Sequence, residues 1–169
     1  GKVFLVYNLE SFYPPEEYYK NGIHTILFHH ERDNPNAKVQ ATTFRENVAK
    51  ALKENNAFEA LLVGKSGYIP EGSRSNMFFI KGDKVYTAPG SEVLIGITRK
   101  HIFDVCEKLN IKIIEESIHV EDIGKLDGGF MSGTSVNVLP ISTVDDIKLD
   151  SVNNEIVKAI SRGYVGSMY

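Results

Sequence analysis

The sequence predicts an α+β fold, in which many short strands are mixed with two or three helices. Two observations favour this class. Short runs of β-branched and aromatic residues recur along the chain, separated by glycine, proline and asparagine. Apolar residues at helical spacing occur in only a few segments, which do not alternate regularly with the strands. A regular series of βαβ units is therefore not expected.

The N-terminal part of the chain contains two predicted strands joined by a short helix. The strands cover residues 2–8 and 23–30, which are rich in β-branched and aromatic side chains. The helix follows Pro14 and Pro15 and ends at Gly22. Proline is tolerated in the first turn of a helix, and glycine commonly ends one, so both boundaries have a physical reason.

A polar loop over residues 31–38 precedes a longer helix, which is predicted over residues 42–56. Thr42 or Thr43 can cap its start, because a threonine hydroxyl accepts a hydrogen bond from a free backbone N–H of the first turn. The apolar positions recur at helical spacing. They are Phe44, Val48, Ala51 and Leu52.

The rest of the chain is predicted to be mainly strands. They cover residues 58–63, 67–69, 77–81, 85–88, 111–115, 129–132 and 136–141. Gly82 and Asp83 form a tight hairpin turn. Thr98 is predicted to cap another helix, with one or two helical turns at residues 120–125 and a terminal helix at residues 152–160. The apolar stripe of the helix after Thr98 comprises Ile102, Phe103, Val105, Cys106 and Leu109.

Composition excludes several classes of function. Apolar and charged residues make up 42% and 24% of the chain, as in ordinary globular proteins. The net charge of −3 provides no basic field for nucleic acid or an anionic membrane, and no apolar run is long enough to span a bilayer. A single cysteine, Cys106, cannot form an internal disulfide. We therefore expect a cytoplasmic protein with a buried structural thiol.

No metal site is predicted. His29 and His30 are adjacent on a predicted strand, so their side chains point to opposite faces and cannot share an ion. The sequence has no Gly-x-Ser-x-Gly motif and no P-loop motif, which removes the common hydrolase and nucleotide-binding interpretations.

Three segments carry more glycine and hydroxyl residues than turns require: residues 71–76, 94–98 and 131–135. The second lies at a predicted helix N-terminus, where free N–H groups and the helix dipole suit a phosphate. The third follows a strand and can also present N–H groups to an anion. Each segment alone is better explained as a cap or a turn. Together with Lys38 in a polar loop, they favour a ligand site.

These residues resemble a known family. The runs EGSRSNMFFIKGDKVYTAP, VLIGITR and FMSGTSVNVLPI, in this order and at this spacing, closely resemble the class IV aminotransferases. That family includes the branched-chain and D-amino-acid aminotransferases and aminodeoxychorismate lyase. Upstream, NPNAK is similar to the approach to the family's catalytic lysine. The resemblance covers roughly residues 20 to 150.

The resemblance implies a fold-type IV enzyme that depends on pyridoxal 5'-phosphate. Residues 1–169 would form its C-terminal, large domain, with barrel-like mixed sheets and flanking helices, and the family's small N-terminal domain would be absent. The implied reaction moves an amino group between a branched-chain or D-amino acid and a 2-oxo acid. The implied assembly is a homodimer whose partners are otherwise small molecules, and this chain alone would be weakly active or inactive.

The resemblance also assigns roles to individual residues. Lys38 would form a Schiff base with the cofactor and move protons during catalysis. Glu71 would pair with the pyridine nitrogen, and Leu94 would pack beneath the ring. The phosphate would lie against the turn from Gly96 to Ile97 and Thr98, and against Gly133 and Thr134. Thr134 and Ser135 would lie near the substrate carboxylate, and Ser75 and Asn76 would orient Glu71 and its loop.

Two alternatives remain open at this point. Aminodeoxychorismate lyase uses the same cofactor and lysine for an elimination. The Ser-Gly-Thr-Ser run and the Glu-Gly-Ser loop favour the aminotransferases over the lyases. From a different class, the chain could be a truncated domain that binds pyridoxal phosphate without turnover. The missing N-terminal half motivates this hypothesis.

Overall fold

A computed structural model describes residues 14–30, 37–93 and 96–167, without the side chains of residues 37–41 and 167. The predicted strand at residues 2–8 and the predicted cofactor contact Leu94 lie outside the described residues. The helices are α1 (Glu16–Asn21), α2 (Ala37–Asn55), α3 (Ile97–Lys108) and α4 (Glu155–Ser167). The strands are β1 (Ile23–His29), β2 (Glu59–Val63), β3 (Tyr68–Ile69), β4 (Asn76–Lys81), β5 (Lys84–Thr87), β6 (Lys112–Glu115), β7 (Ile118–His119), β8 (Gly128–Gly133), β9 (Asn137–Val144) and β10 (Ile147–Lys148).

Most of the strands form one mixed sheet. Its order is β2-β1-β9-β8-β4-β5-β6, with β10 paired to β9, while β3 and β7 form a separate pair. The central strands β9, β8, β4 and β5 run antiparallel to one another, and the outer pairs β1–β2, β1–β9 and β5–β6 are parallel. The predicted α+β class is therefore confirmed.

One side of the sheet curls back on itself. Leu61 in the edge strand β2 forms an antiparallel bridge with Gly72, which lies just before β4. On either side of this bridge, the Leu62 N–H donates to the Glu71 carbonyl and the Ser73 N–H donates to the Ala60 carbonyl, both at 2.9 Å. The five neighbouring strands β2, β1, β9, β8 and β4 consequently form a barrel-like ring, as the family resemblance implies.

The two faces of the sheet are buried in different cores, because successive side chains of a strand point to opposite sides. Met77 and Phe79 of β4 pack inside the curl, in a core that also holds Ile123 of a 3-10 turn at Val120–Lys125. Phe78 and Ile80 point the other way, toward helices α3 and α4. Helix α2 packs on the outside of β1 and β2, where its Val48 is buried against Ile26 and Ala60.

Helix α2 begins five residues earlier than predicted. It starts at Ala37 instead of residue 42, so the prediction that Thr42 or Thr43 caps it is wrong. Lys38 accordingly has its backbone in the first helical turn and not in a polar loop. The reason is visible in the spacing: Ala37 and Ala41 continue the apolar stripe that leads to Phe44, and alanine has the highest helix propensity.

Two other helix starts also differ from prediction. Gly96, not Thr98, is the N-cap of α3, and no side chain caps that end. Helix α4 begins at Glu155 instead of residue 152, because the Asn154 side chain accepts hydrogen bonds from the Ile156 and Val157 N–H groups, each at 3.0 Å. Asparagine is a strong N-cap, so it sets the start.

The apolar stripe of α3 is buried at Ile102, Val105 and Cys106, whereas Leu109 lies past the helix end and is exposed. The buried Cys106 thiol confirms the expected structural role, and burial raises its pKa to about 12. Such a thiol is a poor nucleophile at neutral pH. Within the described part of the chain, no helix is long and apolar enough to cross a membrane.

The stacked pair of Phe78 and Phe130 leads to a prediction about stability. Both rings are fully buried, with centroids 4.9 Å apart and planes 9° from parallel. We expect Phe130→Ala to lower the free energy of unfolding by about 3–5 kcal/mol, since it leaves a cavity. Urea unfolding would measure the change. The control Leu109→Ala, at a side chain that is 42% exposed, should lose much less. Equal losses for the two variants would contradict this view of the core.

Candidate active site

The three glycine- and hydroxyl-rich segments meet in one cleft of about 400 Å³. Its lining comes from the loop at residues 71–76, from Gly96 and Thr98 at the start of α3, and from residues 132–134 at the end of β8. These segments are far apart in sequence. The cleft is lined by glycines and by residues with polar side chains, which include a carboxylate, Glu71, and a guanidinium, Arg74.

Strand pairing explains why the segments meet. In the antiparallel register of β4 with β8, Asn76 lies opposite Ser132, so the start of one strand is beside the end of the other. Asn76 and Ser132 alternate with Met77 and Met131 and therefore face the same side as Phe78 and Phe130. Helix α3 packs on that side, which brings its N-terminus to the cleft.

The loop at residues 71–76 has a compact, internally bonded shape. The Gly72 N–H donates to the Ser75 carbonyl at 2.9 Å. A Cβ on Gly72 would overlap the Ser75 hydroxyl and lie 2.7 Å from the Met77 methyl group, so a larger residue would have to displace these side chains. Glu71 and Asn76 are each only 9% exposed. The Ser75 hydroxyl donates to another carboxylate, that of Glu59, at 2.8 Å.

The N-terminus of α3 supplies backbone donors. The first N–H groups of any α-helix have no partner within the helix, and the helix dipole adds partial positive charge there. Gly96 precedes the helix in an extended conformation, and Thr98 of the first turn lines the cleft. The Ile97 side chain is 88% exposed, so its predicted contact with a phosphate would be made by the backbone alone.

Arg99 anchors this helix end to the rest of the fold. Its side chain is 4% exposed and donates to the Ala88 carbonyl at 2.8 Å and to a Glu115 carboxylate oxygen at 3.3 Å. The guanidinium carbon also lies 4.6 Å from the centroid of the Phe103 ring. These contacts join α3 to the segment after β5 and to the end of β6. The backbone donors of α3 are thereby held at a set position.

Ser132 is a cleft residue that sequence reasoning missed. It is completely buried, and its hydroxyl is one of two buried side-chain polar atoms in the described residues that lack a hydrogen-bond partner. Native structures rarely leave such groups unsatisfied, so a ligand or water in the cleft is the expected partner. Ser132 lies on the same face of β8 as Phe130 and opposite Asn76 of β4. These two facts identify it as a cleft residue, but only once the strand pairing is known.

The other predicted site residues differ in where they lie and in how much of each the structure describes. Glu71, Ser75, Asn76, Gly96, Thr98, Gly133 and Thr134 line the cleft. Ser135 is exposed and is not part of the lining. The backbone of Lys38 lies in α2, which packs against β1 and β2, and its side chain lies outside the described residues. Leu94 lies outside them entirely.

A larger cleft, of about 700 Å³, adjoins this one. It lies between α1, β1 and the end of α2, and its lining includes Tyr18, His24, Lys53 and Phe58. Arg74 lines both clefts, but none of the predicted site residues whose side chains the structure describes lines the larger one. Volume alone does not identify a site, so the chemistry of the lining favours the smaller cleft. Within residues 14–30, 37–93 and 96–167, no three His, Cys, Asp or Glu side chains are grouped so as to hold a metal.

Comparison with known proteins identifies the family. The family model for amino-transferase class IV matches residues 1–144, so the chain belongs to the class IV aminotransferases. It is 32% identical over 118 residues to a probable branched-chain-amino-acid aminotransferase of Rickettsia felis, covering 69% of this chain and 40% of that protein. It is 26% identical over 133 residues to the D-alanine aminotransferase of Bacillus licheniformis, covering 78% of this chain and 47% of that enzyme.

Solved structures of aminotransferases have a fold similar to that of this chain. The chain is similar to the branched-chain amino acid aminotransferase from Escherichia coli, with a TM-score of 0.76 and 26% identity, over 86% of this chain and 52% of that one. A branched-chain amino acid aminotransferase with pyridoxamine 5'-phosphate gives a TM-score of 0.79 at 23% identity, over 92% of this chain and 53% of that one. The fold is therefore that of the fold-type IV aminotransferases, and the chain spans less than half the length of the two curated relatives.

The anchoring role of Arg99 can be tested by its replacement. We expect Arg99→Leu to lower the free energy of unfolding by about 1–3 kcal/mol, because it leaves the buried Ala88 carbonyl without its donor. Thermal or urea unfolding measures the loss. The adjacent cation Lys100 is exposed, so Lys100→Leu is the matched control and should change little. A Lys100→Leu loss as large as that of Arg99→Leu would show that the buried contacts are not responsible.

Proposed function

We propose that this chain is the cofactor-binding part of a pyridoxal-phosphate-dependent aminotransferase. The reaction moves an amino group between an amino acid and a 2-oxo acid. The observation that carries the proposal is the convergence of residues 71–76, the start of α3 and residues 132–134 in one polar cleft. Membership of the class IV aminotransferase family supports the same reaction.

The described residues fit the cofactor. A phosphate monoester needs several hydrogen-bond donors, and the first turn of α3 offers free N–H groups beside the hydroxyls of Thr98 and Thr134. The buried Ser132 hydroxyl, which has no partner, offers one more. A cleft of about 400 Å³ is also within the usual range for small-molecule sites.

When bound, pyridoxal phosphate supplies a carbonyl carbon for the amino group and a ring that withdraws electrons. The chain supplies the remaining chemistry. The Lys38 Nζ would hold the cofactor and would move a proton to and from the reacting carbon. Glu71, whose side chain is almost fully buried, holds a proton at the pyridine nitrogen. Leu94, which lies outside the described residues, would pack against the ring.

Other cleft residues position these groups. Gly96, Ile97 and Thr98 bind the phosphate, together with Gly133 and Thr134, while Ser75 and Asn76 shape the loop that carries Glu71. Thr134 and Ser135 lie toward the substrate carboxylate. Both are exposed at the end of β8, which leaves them accessible to a small molecule that enters the cleft.

The substrates we propose are a branched-chain or D-amino acid with a 2-oxo acid, since relatives with both activities are similar to this chain. We further propose that residues 1–169 correspond to the C-terminal domain of the family, and that the intact enzyme is a cytoplasmic homodimer. The part of the site beyond this chain would complete the pocket, because the chain covers 40% and 47% of the two relatives.

Covalent labelling tests the role of Lys38. We expect borohydride reduction in the presence of pyridoxal phosphate, followed by peptide mapping, to place a stable adduct on Lys38 alone. Lys38→Ala should abolish the adduct. Lys50→Ala, at an exposed lysine of the same helix, should leave it unchanged. Labelling spread over many lysines, in this chain and in a longer protein that contains it, would contradict the assignment.

A second assay separates transamination from its alternatives. We expect 2-oxo-acid-dependent loss of the amino group from a branched-chain amino acid or from D-alanine, because transamination passes the amino group on to a 2-oxo acid. Pyruvate release from aminodeoxychorismate without an oxo-acid requirement would identify a lyase instead. Adduct formation on Lys38 with neither reaction, also in a longer protein, would support a binding domain without turnover.

A further inference from the structure

A buried carboxylate outside the proposed catalytic set, that of Glu59, lies behind the loop at residues 71–76. Glu59 begins strand β2 and is 1% exposed. A buried carboxylate is costly unless hydrogen bonds compensate for the lost hydration. The contacts of Glu59 show where that compensation comes from.

Each carboxylate oxygen of Glu59 accepts two hydrogen bonds. Oε1 accepts from the Ala60 N–H at 2.8 Å and, in a short contact, from the Ser73 hydroxyl. Oε2 accepts from the Arg74 N–H at 3.0 Å and from the Ser75 hydroxyl at 2.8 Å. All four donors are neutral, and three belong to consecutive residues of the loop. The carboxylate thus replaces its hydration shell with this loop.

Backbone hydrogen bonds hold only part of this loop. Those to β2 are the pairs Leu62–Glu71 and Ser73–Ala60, and one bond within the loop runs from the Gly72 N–H to the Ser75 carbonyl. The Arg74 N–H and the Ser75 hydroxyl both donate to the Glu59 carboxylate. The Glu59 side chain therefore ties residues 73 to 75 to strand β2.

We propose that Glu59 is a positioning residue, which holds the loop at residues 71–76 so that Glu71 is presented to the ligand in the cleft. It acts through Ser73, Arg74 and Ser75 and touches no ligand itself. The link to the cofactor rests on the proposed function, whereas the hold on the loop does not.

The variant Glu59→Gln tests this sharply. A glutamine has one oxygen and one NH₂ group, so the NH₂ must face either the Ala60 N–H or the Arg74 N–H. The serine hydroxyls can turn round to accept from it, but a backbone N–H cannot. At least one of these two amides therefore loses its acceptor. We expect its hydrogen exchange to quicken by about 10- to 100-fold, the range for hydrogen bonds to charged groups.

The matched control is Asp127→Asn, the same chemical change at a carboxylate that holds another turn. Asp127 is exposed and accepts a hydrogen bond from the Gly82 N–H at 2.6 Å, in the β4–β5 hairpin and away from the cleft. Exchange at Ala60 and Arg74 should be unchanged in this variant. Should Glu59→Gln not fold, Ser73→Ala removes one donor while keeping the carboxylate, and a smaller acceleration at Arg74 is expected.

A second readout separates positioning from a loss of stability. Absorbance titration with pyridoxal phosphate should give a dissociation constant raised about tenfold in Glu59→Gln. The pH at which the visible band of the bound cofactor titrates should move in the same direction as in Glu71→Gln, because both variants disturb the proton at the pyridine nitrogen. Asp127→Asn should move neither quantity.

Two results for Glu59→Gln would overturn the proposal. The first is unchanged hydrogen exchange at both the Ala60 and the Arg74 amide. The second is faster exchange while the dissociation constant for pyridoxal phosphate and the pH at which its visible band titrates stay as in the unsubstituted protein. If the unsubstituted protein, including a longer form, takes up no pyridoxal phosphate, the proposed function fails. The exchange measurement then still decides whether Glu59 holds the loop.

Discussion

The antiparallel pairing of β4 with β8 is the contact on which the candidate site depends. Its register puts Asn76 beside Ser132, so that two loops from distant parts of the sequence share one edge. Behind this edge, the stacked rings of Phe78 and Phe130 fill the core under helix α3. A shift of one residue in this register would turn the cleft-facing side chains to the opposite side of the sheet.

Two anchors complete the arrangement, and both are buried charged groups with several hydrogen bonds. Arg99 joins the start of α3 to Ala88, just after β5, and to Glu115, at the end of β6. Glu59 joins the edge strand β2 to the loop before β4. Neither lies on the surface of the cleft. A charge without water requires a fixed set of partners, so such groups specify the position of a loop more strictly than apolar packing does.

Most elements of the fold could be predicted from local pattern. Runs of β-branched and aromatic residues, the turn at Gly82 and the glycine after α1 each act through the nearest residues, and the strands and turns predicted from them within the described residues are confirmed. Helix starts were predicted less well. Thr42 and Thr98 have the side chains of caps, but Ala37 extends one helix and Gly96 begins the other. Helix propensity outweighed the capping preference at Ala37, and at Gly96 glycine is itself an accepted N-cap residue.

The sequence by itself determined the α+β class, the family and the three segments that form the cleft, because each depends on residue types at short spacing. Only the tertiary structure decided which side chains share a face and which charges are buried together. Ser132 and Glu59 show the difference. Ser132 lies in a segment that the sequence singles out, whereas Glu59 has an ordinary context. The role of each comes from a strand or loop that is distant in the chain, through hydrogen bonding and burial that no local pattern encodes.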